Sequence, residues 1–545
     1  MIYKIASLLF VVSFANAQLS NVFDNELYER VLDPELCDKQ LQFLMTNISK
    51  SYLFNLLVFD AGIRFPRGIL ELNLQDWGNY HQCLEISQHT GVVGTIEGKY
   101  CSINVPLQLD IGLPTWLDAI CIPKTCTSRQ VIDFVTLNGG IFNATERFCR
   151  LPNDKPFVAA DYVAIASNKF FFVTGKDTTN TLYCSFSLYT NTRRLLTFSN
   201  SPNALHCIDG IRSIAMLWVI VGHVFSGVIP FISNPLYLFS WIRYMESIWI
   251  TSAPITVDTF FLLSGLLLVY TTVGKISQIK FLKNIHMFYI LRYLRLFPIL
   301  ATAVLFQASL AHHMADGPTW NMVAGSVQVC RDGWWWPFLY VSNYAKYMGY
   351  CLGVTWYLCV DMQLFWISPF VLVWVLGDSR RIAWLALGTA VFMSLLSTSL
   401  YSFIYQSSIS YFSEPERSER YFELYYSNTL ARGGPFFVGM LFGYILHVCR
   451  GKEIKLNKIY VVLAWLVSMG LFAFNVFIVY TITQLDYYNP TFDGFINSYS
   501  RSLWAIGLGW MIFACAHGYG GIYKFIIISL FNLSTEQRPS VSFYS

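Results

Sequence analysis

Charged residues are scarce in this chain. Lys, Arg, Asp and Glu make up 13% of its 545 residues, against 54% hydrophobic and 17% aromatic. Soluble globular chains carry about 25% charged side chains, so this composition excludes that class and indicates a polytopic membrane protein. The mean hydropathy of +0.45 agrees. The formal net charge of +4 is small and scattered, and no basic cluster is present, which argues against a nucleic-acid partner. Also missing are a P-loop, a nucleophile elbow and an HExxH helix, so phosphate-cradling NTPases, GxSxG hydrolases and zincin proteases drop out. Cys121-x4-Cys126 lacks a second matching pair, and no metal site is expected.

What is present begins with MIYKIASLLFVVSFANAQ, one Lys before a short apolar core and Ala15-Asn16-Ala17. Residues 1–17 read as a secretory signal peptide, because the core is short for a ~20-residue span. Residues 18–155 then form a cysteine-rich luminal or extracellular domain with Cys37, Cys83, Cys101, Cys121, Cys126 and Cys149. An even set behind a signal peptide predicts disulfides in an oxidising compartment, with the pairing left open. The sequons at Asn47 and Asn143 predict glycosylation.

Residues 156–204 read as a linker, 205–533 as the membrane domain and 534–545 as a polar tail. Spanning runs recur at about 208–230, 249–273, 288–310, 352–376, 382–405, 431–449, 459–482 and 501–519, and a shorter one lies at 521–533. The fold class is therefore an all-α polytopic bundle of about 8–10 transmembrane helices, preceded by the small disulfide-rich domain. Lys275, Lys280 and Lys283 follow the second span, Arg380 and Arg381 the fourth, and Arg450, Lys452, Lys455 and Lys458 the sixth. The intervening loops carry Glu414, Glu416, Glu419, Glu423, Asp486 and Asp493. The positive-inside rule places the basic loops in the cytosol. A luminal cysteine domain then demands one more crossing before residue 207. The segment 157–175, interrupted by Asp161 and Lys169, is a poor span, and a missing or degenerate helix is the preferred explanation.

Ionisable residues inside spans ask for a function. The first, CIDGIRSIAMLWVIVGH, carries Asp209, Arg212 and His223. At 100° per residue Arg212 and His223 differ by about 20°, and Asp209 lies within about 60° of both, so the three are expected on one stripe facing the bundle interior. His223 falls roughly 16 Å deeper than Arg212. VDTFFLLSGLL places Asp258 at a similar depth, and RYLRLFP sets Arg292 and Arg295 at i, i+3. GVTWYLCVDMQLFWISP adds Trp356, Asp361 and Gln363, and GGPFFVGMLFGYIL follows Arg432 with small residues suited to close helix packing. Bland readings stand beside these: Arg292 and Arg295 as interfacial anchors, Asp361 as an arginine partner, and Asp209–Arg212 as an ion pair at a helix start. Cys330 and Cys351 either form a further disulfide or stay as thiols.

Two classes of function fit. In an acyltransferase, His223 acts as general base on an acceptor hydroxyl and arginines hold the donor's phosphates. In a lipid or small-molecule transporter, His223 and Asp258 form a proton relay.

These stretches, in this order, resemble the acyltransferase-three superfamily of integral membrane proteins. WGNYHQCLEI, KYCSINV and AICIPKTC make the chain most similar to its nose-resistant-to-fluoxetine branch. The resemblance implies a catalytic role for His223 and acyl-donor binding by Arg212, Arg292 and Arg295; Asp258 joins His223 as a catalytic candidate on the residue pattern alone, by its similar depth. It implies acyl-CoA as co-substrate with no bound cofactor and an acceptor of unspecified identity; the spans imply membrane lipids as surroundings, and the signal peptide a place in the secretory pathway or plasma membrane. The resemblance also leads to the expectation that further helices of the branch are missing after GYGGIYKF.

Overall fold

In this computed structural model the described residues are 25–46, 57–58, 60–62, 68–105, 116–135, 146–159, 161–166, 192, 205–344, 351–406, 408–409 and 421–520. The expected signal peptide, both sequons, the short run at 521–533 and the polar tail lie outside them.

The cysteine-rich segment is built on a sheet that its sequence did not announce. Strands β1 (Gln75–Asp76), β2 (Ser87–Thr90), β3 (Gly94–Val105), β4 (Trp116–Pro123) and β5 (Cys149–Arg150) run in the order β1-β4-β3-β2, and β5 joins β3. Among the described residues only β1 and β4 pair in parallel. β3 is central, and successive side chains Tyr100 and Cys101 are both fully buried, as a strand covered on two faces requires. All six cysteines of the domain pair. Cys101 joins Cys149, its cross-strand partner in register, while Cys83–Cys121 and Cys37–Cys126 pin helices Tyr80–Glu85 and Pro34–Thr46 to β4 and the turn after it. Closing loops of 38 to 89 residues restricts the unfolded chain by about 4–5 kcal/mol per bridge on the loop-entropy estimate.

The membrane domain is a bundle of long helices: α1 (His206–Val228), α2 (Thr256–Thr272), α3 (Ile285–Ser309), α4 (Thr355–Val375), α5 (Arg380–Tyr405), α6 (Thr429–Cys449), α7 (Lys458–Ile482) and α8 (Pro490–Ala516). Among the described residues seven helical stretches are long and apolar enough to cross a membrane, and they carry the first seven predicted spans. The eighth run is the second half of α8. That helix starts earlier, at Pro490, where the Asn489 side chain accepts the Phe492 N–H at 3.0 Å. Its first half turns Asp493, Asn497 and Arg501 into the bundle.

α2 and α6 form the bundle's centre. A Cβ at Gly439 would stand 2.1 Å from the Leu262 carbonyl oxygen, and one at Gly265 would stand 2.0 Å from that of Phe436. Small residues thus let the two backbones touch, which brings Asp258 on α2 to Arg432 on α6. α1 lies at the periphery, with 6% of its apolar stretch buried against 67% for the Met245–Thr272 stretch.

The two faces of the bundle differ. Lys275, Arg380, Arg450 and Lys452, from the loops after the second, fourth and sixth spans, line one shared cavity, so the three basic loops converge as the charge alternation predicts. The cysteine domain docks at the opposite end. Gln75 donates to the Pro230 carbonyl just beyond α1 at 2.8 Å, and Arg150, Tyr80 and Lys155 all hold Asp316 beyond α3. Tyr80 and Lys155 hydrogen bonds with the Arg150 charge hold Asp316 down at about 2, although burial pushes the other way. Cys330–Cys351 closes a further bridge at this end. Residues 166 and 205 therefore lie at opposite ends of the bundle. Of the weak candidate span 157–175, the described part includes Asp161, fully buried and held by His313 at 3.1 Å.

Candidate functional site

Three buried charges meet where α2, α6 and α8 touch. Arg432 donates through Nη1 to Asp258 Oδ1 at 2.8 Å and through Nε to the Tyr426 carbonyl at 2.8 Å. Its guanidinium lies 4.3 Å from the Tyr426 ring centre and 5.1 Å from that of Trp356. Arg501 approaches Asp258 Oδ2 to 3.9 Å and stacks 4.1 Å over the Tyr425 ring. Asp258 and Arg501 border a cavity of about 100 Å³ whose wall is otherwise largely apolar.

His223 borders a second cavity, of about 210 Å³, with Val257, Phe422 and Tyr426. The two cavities share Thr251, Pro254, Tyr421 and Tyr426 as a common wall. The imidazole is exposed to this space and has no protein hydrogen-bond partner among the described residues. Asp258 does not orient it; the carboxylate is engaged by the two arginines instead.

The expected stripe on α1 needs correction. Ile208, Ile211 and Ala215 form the inward face, packed with residues such as Leu262, Leu266 and Leu508. Burying that apolar i, i+3, i+7 row displaces the ionisable row toward the side. Asp209 and Arg212 remain 44% exposed and 3.7 Å apart, an ion pair at the helix start.

Elsewhere the arginine pair divides. Arg292 is ion-paired with Asp361, lies 4.3 Å from the Phe365 ring centre and reaches Ser264 Oγ at 3.4 Å, whereas Arg295 is exposed. Gln363 is satisfied within the fold: its NH2 donates to the Tyr340 carbonyl at 2.7 Å and Asn343 Oδ1 at 2.9 Å, and its oxygen accepts from Thr429. Trp356 is buried against Arg432.

No metal was expected. Among the described residues, Asp161, His312 and His313 bring ligand-type atoms within 4.8 Å of one another, near where the cysteine domain docks. Asp161 already accepts from the Val158 N–H at 2.9 Å and from His313, with Arg331 3.9 Å away, so its charge is compensated by the protein. Burial, helped by the charges of His313, Arg331 and Lys155, pushes His312 down to about 3.

Arg501 was missed from the sequence because it stands at the edge of an apolar run and reads as its boundary. The Asn489-Pro490 cap and Asp493 were the available signal that the helix starts eleven residues earlier.

An acyltransferase domain family matches residues 205–535, and the nose resistant-to-fluoxetine protein N-terminal domain matches residues 37–135. The chain is 26% identical over 367 residues to nose resistant to fluoxetine protein 6 of Caenorhabditis elegans, covering 62% of this chain and 44% of that one. It is 27% identical over 288 residues to the regulator of hypoxia-inducible factor 1 of the same organism, covering 48% and 55% respectively. The chain thus spans about half the length of these curated relatives. No solved structure matches. The chain belongs to the acyltransferase-three family of multi-pass membrane proteins, in the branch with a nose-resistant-to-fluoxetine amino-terminal domain.

Proposed function

We propose that this protein is an O-acyltransferase that moves an acyl group from acyl-CoA, approaching from the basic face, to a hydroxyl acceptor reached from the face where the cysteine domain docks. That domain is luminal or extracellular in this reading, with a signal peptide and glycans at Asn47 and Asn143. The observation that carries the proposal is His223, an imidazole inside a membrane-spanning helix, on the wall of a cavity and without a hydrogen-bond partner among the described residues. A free ring nitrogen there takes the acceptor's proton as its oxygen attacks the thioester carbonyl. The carbon–sulfur bond then breaks, and the imidazolium returns the proton to the CoA thiolate. Arg292 and Arg295, at the basic end of α3, and Arg212, at that end of α1, bind the donor's phosphates through charge-assisted hydrogen bonds. Asp258 supports the site by holding Arg432. The transport alternative by a His223–Asp258 relay is less favoured, since Asp258 is committed to the arginines.

Proteoliposomes of uniform orientation test this. Labelled acyl-CoA supplied on the basic side should be consumed, and label should appear on a hydroxyl compound; the same donor supplied only on the opposite side should not react. Movement of a hydrophobic tracer without acyl-CoA, together with no label transfer, would replace the proposal with the transport reading.

A further inference from the structure

Among the described residues, the buried charges around Asp258 do not balance. Asp258, Arg432 and Arg501 are 1%, 0% and 6% exposed, and together they carry one net positive charge inside an apolar bundle. Arg432 donates a hydrogen bond to Asp258, whereas Arg501 stays 3.9 Å away, beyond hydrogen-bond reach. Arg501 Nη1, Arg432 Nη2 and Asp258 Oδ2 are all buried without a hydrogen-bond partner among the described residues. The other polar side chains on the cavity wall, including Asn475, Asn497 and Ser500, are neutral. A guanidinium does not shed its proton, so this cation keeps its charge. Leaving it unmatched at membrane depth is costly, and a bound anion removes the cost.

We infer that the cavity beside Arg501 binds a monoanionic oxyanion, a carboxylate carried on an apolar chain. One negative charge brings the cluster to neutrality, whereas a dianionic phosphate would overshoot beside Asp258. The guanidinium fork presents N–H donors in the geometry a carboxylate accepts. Ile255, Ile478, Val479, Ile482 and Ile496 supply an apolar wall for the methylenes. Because the cavity shares its wall with the one bordered by His223, a hydroxyl on the same chain is directed toward the imidazole. That the carboxylate belongs to the acceptor rests on the acyl-transfer reading. The anion site does not, and it is tested without acyl-CoA.

Purified full-length protein in nanodiscs is titrated with octanoate, octanol and octylamine, with calorimetric binding and Tm read on the same samples. Octanoate is expected to bind saturably and raise Tm, and the neutral and cationic analogues to do neither. Arg501→Gln should weaken octanoate binding at least tenfold, yet unfold without ligand at or above the wild-type temperature, because Asp258–Arg432 remains as a neutral pair. His223→Ala should keep the octanoate response, which separates this site from the base assignment. Equal responses to octanoate and octanol, or undiminished binding by Arg501→Gln, overturn the inference. If Arg501→Gln does not fold, Arg501→Lys carries the test: it keeps the charge without the fork, and binding as tight as the wild type overturns the carboxylate assignment.

Discussion

The sheet domain and the helical bundle both bury arginines, and they compensate them in different ways. Arg150 of the domain is gripped by Asp154 through two hydrogen bonds of 2.7 Å, then capped by Asp316 and the Trp320 ring. Lys99, fully buried, has Glu146 at 2.9 Å. In the bundle two arginines share one carboxylate, and only Arg432 is hydrogen-bonded to it. The domain has an unmatched group of its own in Asp118, 7% exposed beside Asp76 on the neighbouring strand. Burial, against the Ala119 N–H and with the Asp76 charge, pushes Asp118 up to about 6. A carboxylate in that position takes up a proton; a guanidinium has no such recourse and needs a partner. Mismatch in the domain is therefore a matter of pH, and mismatch in the bundle marks a site.

Breaking the match in the bundle has the largest expected effect on stability. Asp258→Ala leaves two buried guanidiniums without a carboxylate and should cost about 3–5 kcal/mol, read as a lower unfolding midpoint in detergent. A loss below about 1 kcal/mol would show that the arginines find other partners, and the contrast between the regions would collapse.

A smaller effect sharpens the domain side. The folded pKa of Asp118 lies above its ordinary value of 3.8, so its contribution is present at low pH and is lost as pH rises through about 6. Asp118→Asn can keep the Ala119 hydrogen bond and should stabilise the domain by about 2 kcal/mol at pH 7, with the gain fading toward pH 4. His312, beyond α3, has the opposite sign. Its folded pKa is depressed, so its contribution is present above 6.5 and lost as pH falls toward about 3. Hydrogen exchange resolved by region should show the two moving in opposite directions with pH. An Asp118→Asn gain equal at pH 4 and pH 7 would contradict the account of the domain.

Much of this architecture was legible in the residues. Apolar runs located seven of the long helices because a span must satisfy its own backbone and face lipid, which leaves a local signal. Loop lysines and arginines foretold a shared basic face for the same reason. The sheet was not legible, because β3 pairs with strands whose register depends on cysteines 38 and 48 residues apart in their bridges. The orientation of α1 was misjudged because two stripes competed for the interior, and the apolar row of Ile208, Ile211 and Ala215 won over the ionisable one. Arg501 escaped because burial of a charge is decided by the neighbouring helices rather than by its own run.

Acyl transfer by this bundle turns on His223, and one measurement tests that most directly. Release of labelled acyl group from acyl-CoA onto a hydroxyl acceptor is followed with purified wild-type protein and with His223→Ala, with Tm taken on both. Loss of a general base should slow transfer about 10²–10⁴-fold, and Tm should hold within a few degrees because the imidazole makes no hydrogen bond among the described residues. Transfer by His223→Ala at the wild-type rate would contradict the account.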